Sequence, residues 1–143
     1  MAEQTILDQY GVDVGFKMTY ERVVTAEDID LFAKVSGDFN PVHVNEDYAR
    51  KTLFKGRIAH GALSQAFLSA TMAKLPGLVI FMSQTLRFVS PVRIGDTITA
   101  IIEVTSVRKD KGIVNMKNIC LNQKGETVVE GESTVRIFEK PAA

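Results

Sequence analysis

The chain has 143 residues, a length that suits one domain burying roughly 68–70% of the surface its unfolded chain exposes, so a sizeable core is feasible without a second domain. Seventeen Lys and Arg balance seventeen Asp and Glu, and with a formal net charge of zero no overall field draws the protein to nucleic acid or to an anionic membrane. The one cysteine, Cys120, excludes an internal disulfide, and Met1-Ala2-Glu3-Gln4 opens neither a basic nor an apolar signal segment, so a reducing cytoplasm is the expected compartment.

Residues 1 to 14 carry little pattern. The first clear alternation sets Phe16, Met18 and Tyr20 against Lys17, Thr19 and Glu21, which predicts a half-buried strand. Thr25-Ala26-Glu27-Asp28 then has the form of a capping box, and Ile29, Phe32 and Ala33 give the apolar stripe of a helix that runs to about Ser36. Gly37 ends it, and Asp38 opens a loop. Pro41 pushes Asn40 toward an extended conformation, which holds the Asp38-to-His43 segment away from helix and lets both side chains reach one pocket. A short helix follows, capped by Asn45, with Glu46 and Asp47 at its positive end and Arg50 and Lys51 at its negative end.

From about 59 to 75 a longer helix presents Ala62, Leu63, Ala66, Phe67 and Ala70 on one stripe, with Leu68, Met72 and Leu75 extending the apolar surface around the cylinder. His60, Ser64, Gln65, Ser69 and Lys74 interrupt it, so it reads as a buried helix of a soluble protein and not as a membrane span; it stops at Pro76-Gly77. Beyond Gly77 the period is two: Ile98, Ala100, Ile102 and Val104 oppose Thr97, Thr99, Glu103 and Thr105, and Val129, Val135 and Ile137 oppose Glu130, Glu132 and Arg136. Turns at Lys109–Gly112 and Asn122–Gly125, and a break from Pro91 to Asp96, predict an antiparallel meander of about four strands. One strand, a long helix and a meander give an α+β fold in which a sheet wraps around a central helix, the hot-dog arrangement, as a single domain over 1–143 with an overhanging segment at about 25–58. Its long edge strand is a natural place for a second subunit, so a homodimer with a continuous sheet is expected.

Both histidines of the chain lie between Ser36 and Gly61. Asp38 and His43, a carboxylate and an imidazole five residues apart, flank the Pro-fixed turn, and an apolar helix begins at His60-Gly61. The combination points to acid/base chemistry beside a helix N-terminus. Asp, Asn and Pro are turn formers in their own right, and Gly37 also serves as a helix stop, so a purely structural reading of the same residues stays open here. The spacing of Asp38, His43 and His60 matches no usual metal-ligand signature and Cys120 is distant, so no metal is expected.

With Ser36-Gly37-Asp38-x-Asn40-Pro41-x-His43, His60-Gly61, Pro76-Gly77 and Phe88-x-x-Pro91-Val92-x-x-Gly95-Asp96 in view, the chain resembles the MaoC-like, or hydratase 2, family of (R)-specific enoyl-CoA hydratases over about residues 25 to 140. The resemblance implies that Asp38 and His43 are the catalytic pair and that Ser69, a helical serine, stands near the catalytic water. It also implies an acyl-CoA substrate, with no cofactor beyond the coenzyme A thioester that is itself transformed. On that reading His43 accepts hydrogen bonds from the attacking water, Asp38 completes the grip, and the Gly61 backbone N–H, free of a side chain and at the positive end of a helix, meets the thioester oxygen. Asn40 orients the pair or simply forms the Asn-Pro turn, and His60 caps or braces the loop. Phe39, Phe54, Phe67 and Phe88 are candidates for an acyl tunnel or for ordinary core.

The alternatives are a dehydratase acting on acyl carrier protein substrates, a hot-dog thioesterase, and a non-catalytic acyl-CoA-binding module. Thioesterases and fatty-acid-synthesis dehydratases of this fold usually place an acidic residue on the central helix, and residues 59 to 75 contain none.

Overall fold

The structure, a computed structural model, describes residues 3–142. Met1 and Ala2, which begin the stretch read for a targeting signal, lie outside them. Five strands form one antiparallel sheet: β1 (Lys17–Val23), β2 (Leu78–Phe88), β3 (Thr97–Arg108), β4 (Ile113–Leu121) and β5 (Thr127–Phe138). Their order is β1-β3-β4-β5-β2. The helices are α1 (Ile6–Tyr10), α2 (Ala26–Ser36), α3 (Pro41–Val44), α4 (Glu46–Arg50) and α5 (Gly61–Met72). Helix α5 packs over β1, β3 and β4, so the sheet curls around it in the hot-dog arrangement.

Local chemistry accounts for most of the boundaries. Thr25 and Asp28 form the expected capping box, and Gly37 ends α2 in the left-handed region at φ 82°, where a side chain would be strained. Asn45 caps α4 by accepting from the Tyr48 N–H. Helix α5 is shorter than the expected 59–75 span because Ala59 is held in an extended segment, its N–H donating to the Val92 carbonyl at 2.7 Å, while Leu75 lies in the turn after Met72. The patternless N-terminus contains α1, which has its own Thr5–Asp8 capping box and plugs Leu7, fully buried, into the core.

The meander holds for β3, β4 and β5, but β2 departs from it. Instead of pairing with β3, β2 runs along β5 at the far edge, in a register that sets Gln84 opposite Ser133, with a bulge between Phe81 and Ser83. A period-two pattern shows that a segment is a strand without naming its partner, and the connection over 89–96 carries the chain from that edge across to β3, beside β1.

The inner face supplies the core. Ile98, Ala100, Ile102 and Val104 of β3 alternate inward as expected and meet Val114, Met116, Val135 and Ile137 beneath Leu63, Phe67, Leu68 and Met72 of α5. Each such large side chain contributes roughly 1.5–3 kcal/mol on burial. Two polar residues interrupt this face. Asn118 is fully buried and donates to Ser133 Oγ at 2.8 Å, accepts from Gln84 Nε2 at 2.7 Å, and so closes a polar chain that Gln84 extends to Gln65 on α5. Edge strand β2 leaves Leu78, Ile80, Phe81 and Met82 exposed. Among the described residues no helix is long and apolar enough to cross a membrane.

Candidate active site

The site forms where the α2–α3 loop meets the N-terminus of α5. Asp38 follows the left-handed Gly37, and its N–H donates to Ser36 Oγ at 3.1 Å while its Oδ1 accepts the Asn40 N–H at 3.1 Å. Asn40 is extended, as expected before proline, and its side chain accepts the Val42 N–H at 3.3 Å. The segment to His43 is nevertheless not held out of helix. Pro41 takes the first position of α3, where its missing N–H costs nothing, so His43 sits on a single helical turn capped by Asn40. Asn40 thus ties Asp38, through its backbone N–H, to the start of α3, which its side chain caps.

His43 is held at two points, and its neighbour Val42 at a third, by the segment preceding α5. Its Nδ1 lies 2.8 Å from the Ile58 carbonyl, the Ile58 N–H donates to the Val42 carbonyl at 3.2 Å, and Arg57 Nε donates to the His43 carbonyl at 2.5 Å. The Arg57 guanidinium, with only 12% of its side chain exposed, also pairs with Asp30 of α2 at 2.6 Å. A carbonyl only accepts, so Nδ1 of His43 carries the proton and Nε2 is left as the basic nitrogen.

A carboxylate oxygen of Asp38 and one ring nitrogen each from His43 and His60 lie within 4.8 Å of one another, a gap that one water can bridge. The cluster fits a metal poorly. The His43 and His60 rings stack at 4.1 Å with 31° between their planes, so their in-plane lone pairs run nearly side by side and do not converge on one point. His60 does not cap α5. Its Nε2 instead meets the Asp38 carbonyl at 2.9 Å, which makes it a brace on the α2–α3 loop.

Beside these groups opens a cleft of about 670 Å³, lined by His43, Phe54, His60, Gly61, Ser64 and Phe88 among others. Gly61 is the first residue of α5, and no acceptor among the described residues takes its N–H. It also needs to be glycine for packing, since a Cβ there would stand 2.8 Å from two carbons of the Phe88 ring. Of the four phenylalanines, Phe54 and Phe88 line the cleft, Phe67 is core against Tyr20, and Phe39 is exposed.

The structure does not bring Ser69 to the pair. Ser69 lies two turns along α5 from Gly61, about 12 Å at the helical rise, in a separate cavity with Met72, Gly77, Phe81 and Val135. The cleft is lined instead by Ser64, one helical turn after His60 and only 2% exposed, and by Ser90. No motif in the sequence marks Ser64, and none marks Arg57, although that residue stands three positions before His60-Gly61.

Comparison with known proteins shows the family. The model of the MaoC like domain matches residues 10–124. A curated relative from Rhodospirillum rubrum, an (R)-specific enoyl-CoA hydratase, is 43% identical over 141 residues, covering 96% of this chain and 97% of its own. A mitochondrial 3-hydroxyacyl-[acyl-carrier-protein] dehydratase of Arabidopsis thaliana is 41% identical over 125 residues, 85% of this chain and 75% of its own. The unliganded R-hydratase structure from Pseudomonas aeruginosa superposes with a TM-score of 0.84 at 43% identity, covering 90% of this chain and 84% of that one. Over most of its length, and with the loop and helix N-terminus described above, the chain belongs to the MaoC-like family.

Proposed function

We propose that this protein catalyses the reversible (R)-specific hydration of trans-2-enoyl-CoA to (R)-3-hydroxyacyl-CoA, with Asp38 and His43 as the acid/base pair. The observation that carries the reading is that a carboxylate oxygen of Asp38 and a ring nitrogen of His43 lie within 4.8 Å of each other, a gap one water can bridge, beside a cleft whose wall includes Gly61. Water held by both groups adds its oxygen to C3 as a proton passes to His43 Nε2. The electron pair of the double bond moves through C2 to the thioester oxygen, which the Gly61 N–H and the helix N-terminus stabilise. The proton returned to C2 completes the addition of one water. The reverse sequence is dehydration, and no step needs a metal or an added cofactor.

One water held by both groups is delivered from one direction, which accounts for addition to one face and a single enantiomer. The test is hydration of crotonyl-CoA and longer enoyl-CoA substrates, followed as loss of enoyl absorbance with chiral analysis of the product. The (R) product is expected, and formation of the (S) product, or tight binding without turnover, would overturn the reading. Rapid thiol release without hydration would instead favour the thioesterase.

A second reading, dehydration of acyl-carrier-protein thioesters, is favoured by the Arabidopsis relative. The same assay with crotonyl-acyl carrier protein separates the two, since the acyl chemistry is common and only the carrier differs. The exposed apolar row on edge strand β2 supports a homodimer built by edge pairing, as does the length of that strand. The buried, unpaired Cys120 suits the reducing cytoplasm expected for such an enzyme.

A further inference from the structure

The assignment of Asp38 and His43 leaves one polar atom without a use. Among the described residues, His60 Nδ1 is the only buried side-chain nitrogen or oxygen that has no hydrogen-bond partner. Native interiors pair nearly all such atoms, so an exception calls for an explanation. The other ring nitrogen gives one: Nε2 lies 2.9 Å from the Asp38 carbonyl, which can only accept, so Nε2 carries the proton and the neutral ring keeps Nδ1 bare. The chain's two histidines therefore hold opposite tautomers, His43 with its proton on Nδ1 and His60 with its proton on Nε2.

Three contacts meet at the His60 ring. Its N–H makes the one hydrogen bond, among the described residues, that ties Asp38 to anything outside residues 36–40, because the other bonds of that residue go to Ser36 and Asn40. Its face stacks on His43 at 4.1 Å, and it packs at 4.9 Å against Phe32 of α2. Its backbone adjoins Gly61 at the start of α5. A side chain required only to fill this space would be apolar and would leave no orphaned acceptor behind. The ring is 2% exposed and Nδ1 is sealed off, so His60 is not itself placed to exchange a proton with a substrate.

We propose that His60 is a positioning residue of the hydration reaction: a neutral imidazole that holds the Asp38 backbone with its Nε2–H and the His43 ring with its face, keeping carboxylate and base one water apart. This rests on the catalytic reading of Asp38 and His43. Positioning of this kind matters because a displacement of about 1 Å costs on the order of 100-fold in rate.

Two variants separate the contacts. His60→Phe keeps a ring in the stack and removes the donor; His60→Gln keeps a donor within reach of the Asp38 carbonyl and removes the stack. In crotonyl-CoA hydration, His60→Phe should lower kcat about 10- to 100-fold with KM within about threefold of wild type. Its melting temperature should be unchanged or raised, since the orphaned acceptor is gone. His60→Gln should recover about fivefold or more of that loss in kcat. Nitrogen-15 NMR of the wild-type protein, with only two histidines to assign, should show the two opposite tautomers and needs no variant to fold. A kcat for His60→Phe within twofold of wild type, a loss that follows a fall in melting temperature and is not recovered by His60→Gln, or a proton on Nδ1 of His60, would each overturn the proposal. Absence of hydration by the wild-type protein would overturn the functional reading on which it rests. The NMR result is independent of activity and tells the two failures apart.

Discussion

Replacing Asp38 and His43 by asparagine is the most direct probe of the pair, because the local hydrogen bonds show what each substitution preserves. Asp38→Asn retains an Oδ1 to accept the Asn40 N–H, a bond of 3.1 Å in the structure. His43→Asn places an amide nitrogen near the position of the ring Nδ1, which donates to the Ile58 carbonyl at 2.8 Å. The carboxylate charge and the basic Nε2 disappear, together with the ring that packs on His60. Loss of one general acid or base lowers kcat about 10²- to 10⁴-fold, and a value near 10³ corresponds to about 4 kcal/mol. If the two acted independently, the double variant would lose about 10⁶. Two groups gripping one water act as a unit, so the double variant should fall close to the worse single, with a coupling of about 4 kcal/mol. Initial rates of crotonyl-CoA hydration give the cycle, and melting temperatures within about 3 °C of wild type show that folding is intact. Lys51→Ala, on the exposed end of α4, is the control and should remain near wild type. Soluble single variants that keep more than about a third of the wild-type kcat would refute the assignment and return Asp38-x-Asn40-Pro41-x-His43 to an ordinary turn.

The remaining predictions probe the shell around the pair. Gly61→Ala puts a methyl 2.8 Å from the Phe88 ring and turns that ring into the cleft, so KM for crotonyl-CoA should rise several-fold and fall again when Phe88→Ala is added. Failure of the second change to restore KM would mean that Gly61 matters for more than space. Arg57→Met strips a donor from the His43 carbonyl and should cost about 1–3 kcal/mol in urea unfolding, whereas Asp30→Asn, at the exposed end of the same contact, should cost under about 1 kcal/mol. Asn118→Ala leaves the half-buried Gln84 amide without its acceptor and the buried Ser133 hydroxyl without its donor, and should lower stability by about 1–3 kcal/mol, read as a shift in the urea midpoint at constant slope. The Arg22 guanidinium holds the Asp28 carboxyl below its ordinary 3.8, and Lys109 with Thr5 holds Asp8 at about 2. A depressed folded value means stability that is present above pH 3.8 and lost as pH falls through the folded value, so Arg22→Met should destabilise near neutral pH and have no effect once Asp28 is protonated.

How much of this is legible in the sequence depends on the range over which each signal acts. Caps are local chemistry, and Thr25-x-x-Asp28 with Gly37 marks both ends of α2 correctly. Thr5-x-x-Asp8 carries the same signal, but α1 is one turn long and offers no apolar period beside it, so the signal does not stand out. Pro41 reads as a helix breaker because a proline inside a helix breaks it. At the first position of a turn it does the opposite, and the Asn40 cap before it is the available clue. Strand pairing is set by which edges remain free once β3, β4 and β5 have formed, which no period-two pattern can express, so β2 reads as part of a meander it does not join. The pair itself is legible because its members are five residues apart. Arg57, Ser64 and the brace from His60 to Asp38 are not, because they act across gaps of 14 to 27 residues or through a cleft wall.

The structural and catalytic readings of the loop invoke the same residues, and what separates them is the polar capacity each leaves over. A turn at this place needs Asp38 Oδ1 for the Asn40 N–H and Asn40 Oδ1 for the Val42 N–H, and an asparagine in place of Asp38 would serve it equally well. It has no need of a negative charge, of a second carboxylate oxygen, or of an imidazole on α3 whose Nδ1 is committed to Ile58 while Nε2 is left basic. Nor does it need a buried histidine whose N–H braces the carbonyl of the loop at the expense of an unpaired Nδ1. A fold selected for the turn alone would gain stability by removing every one of these. A carboxylate oxygen of Asp38 and one ring nitrogen each of His43 and His60 lie within 4.8 Å of one another, with both histidines on the wall of the cleft beside Gly61, and under the proposed function their common use is to hold and deprotonate one water.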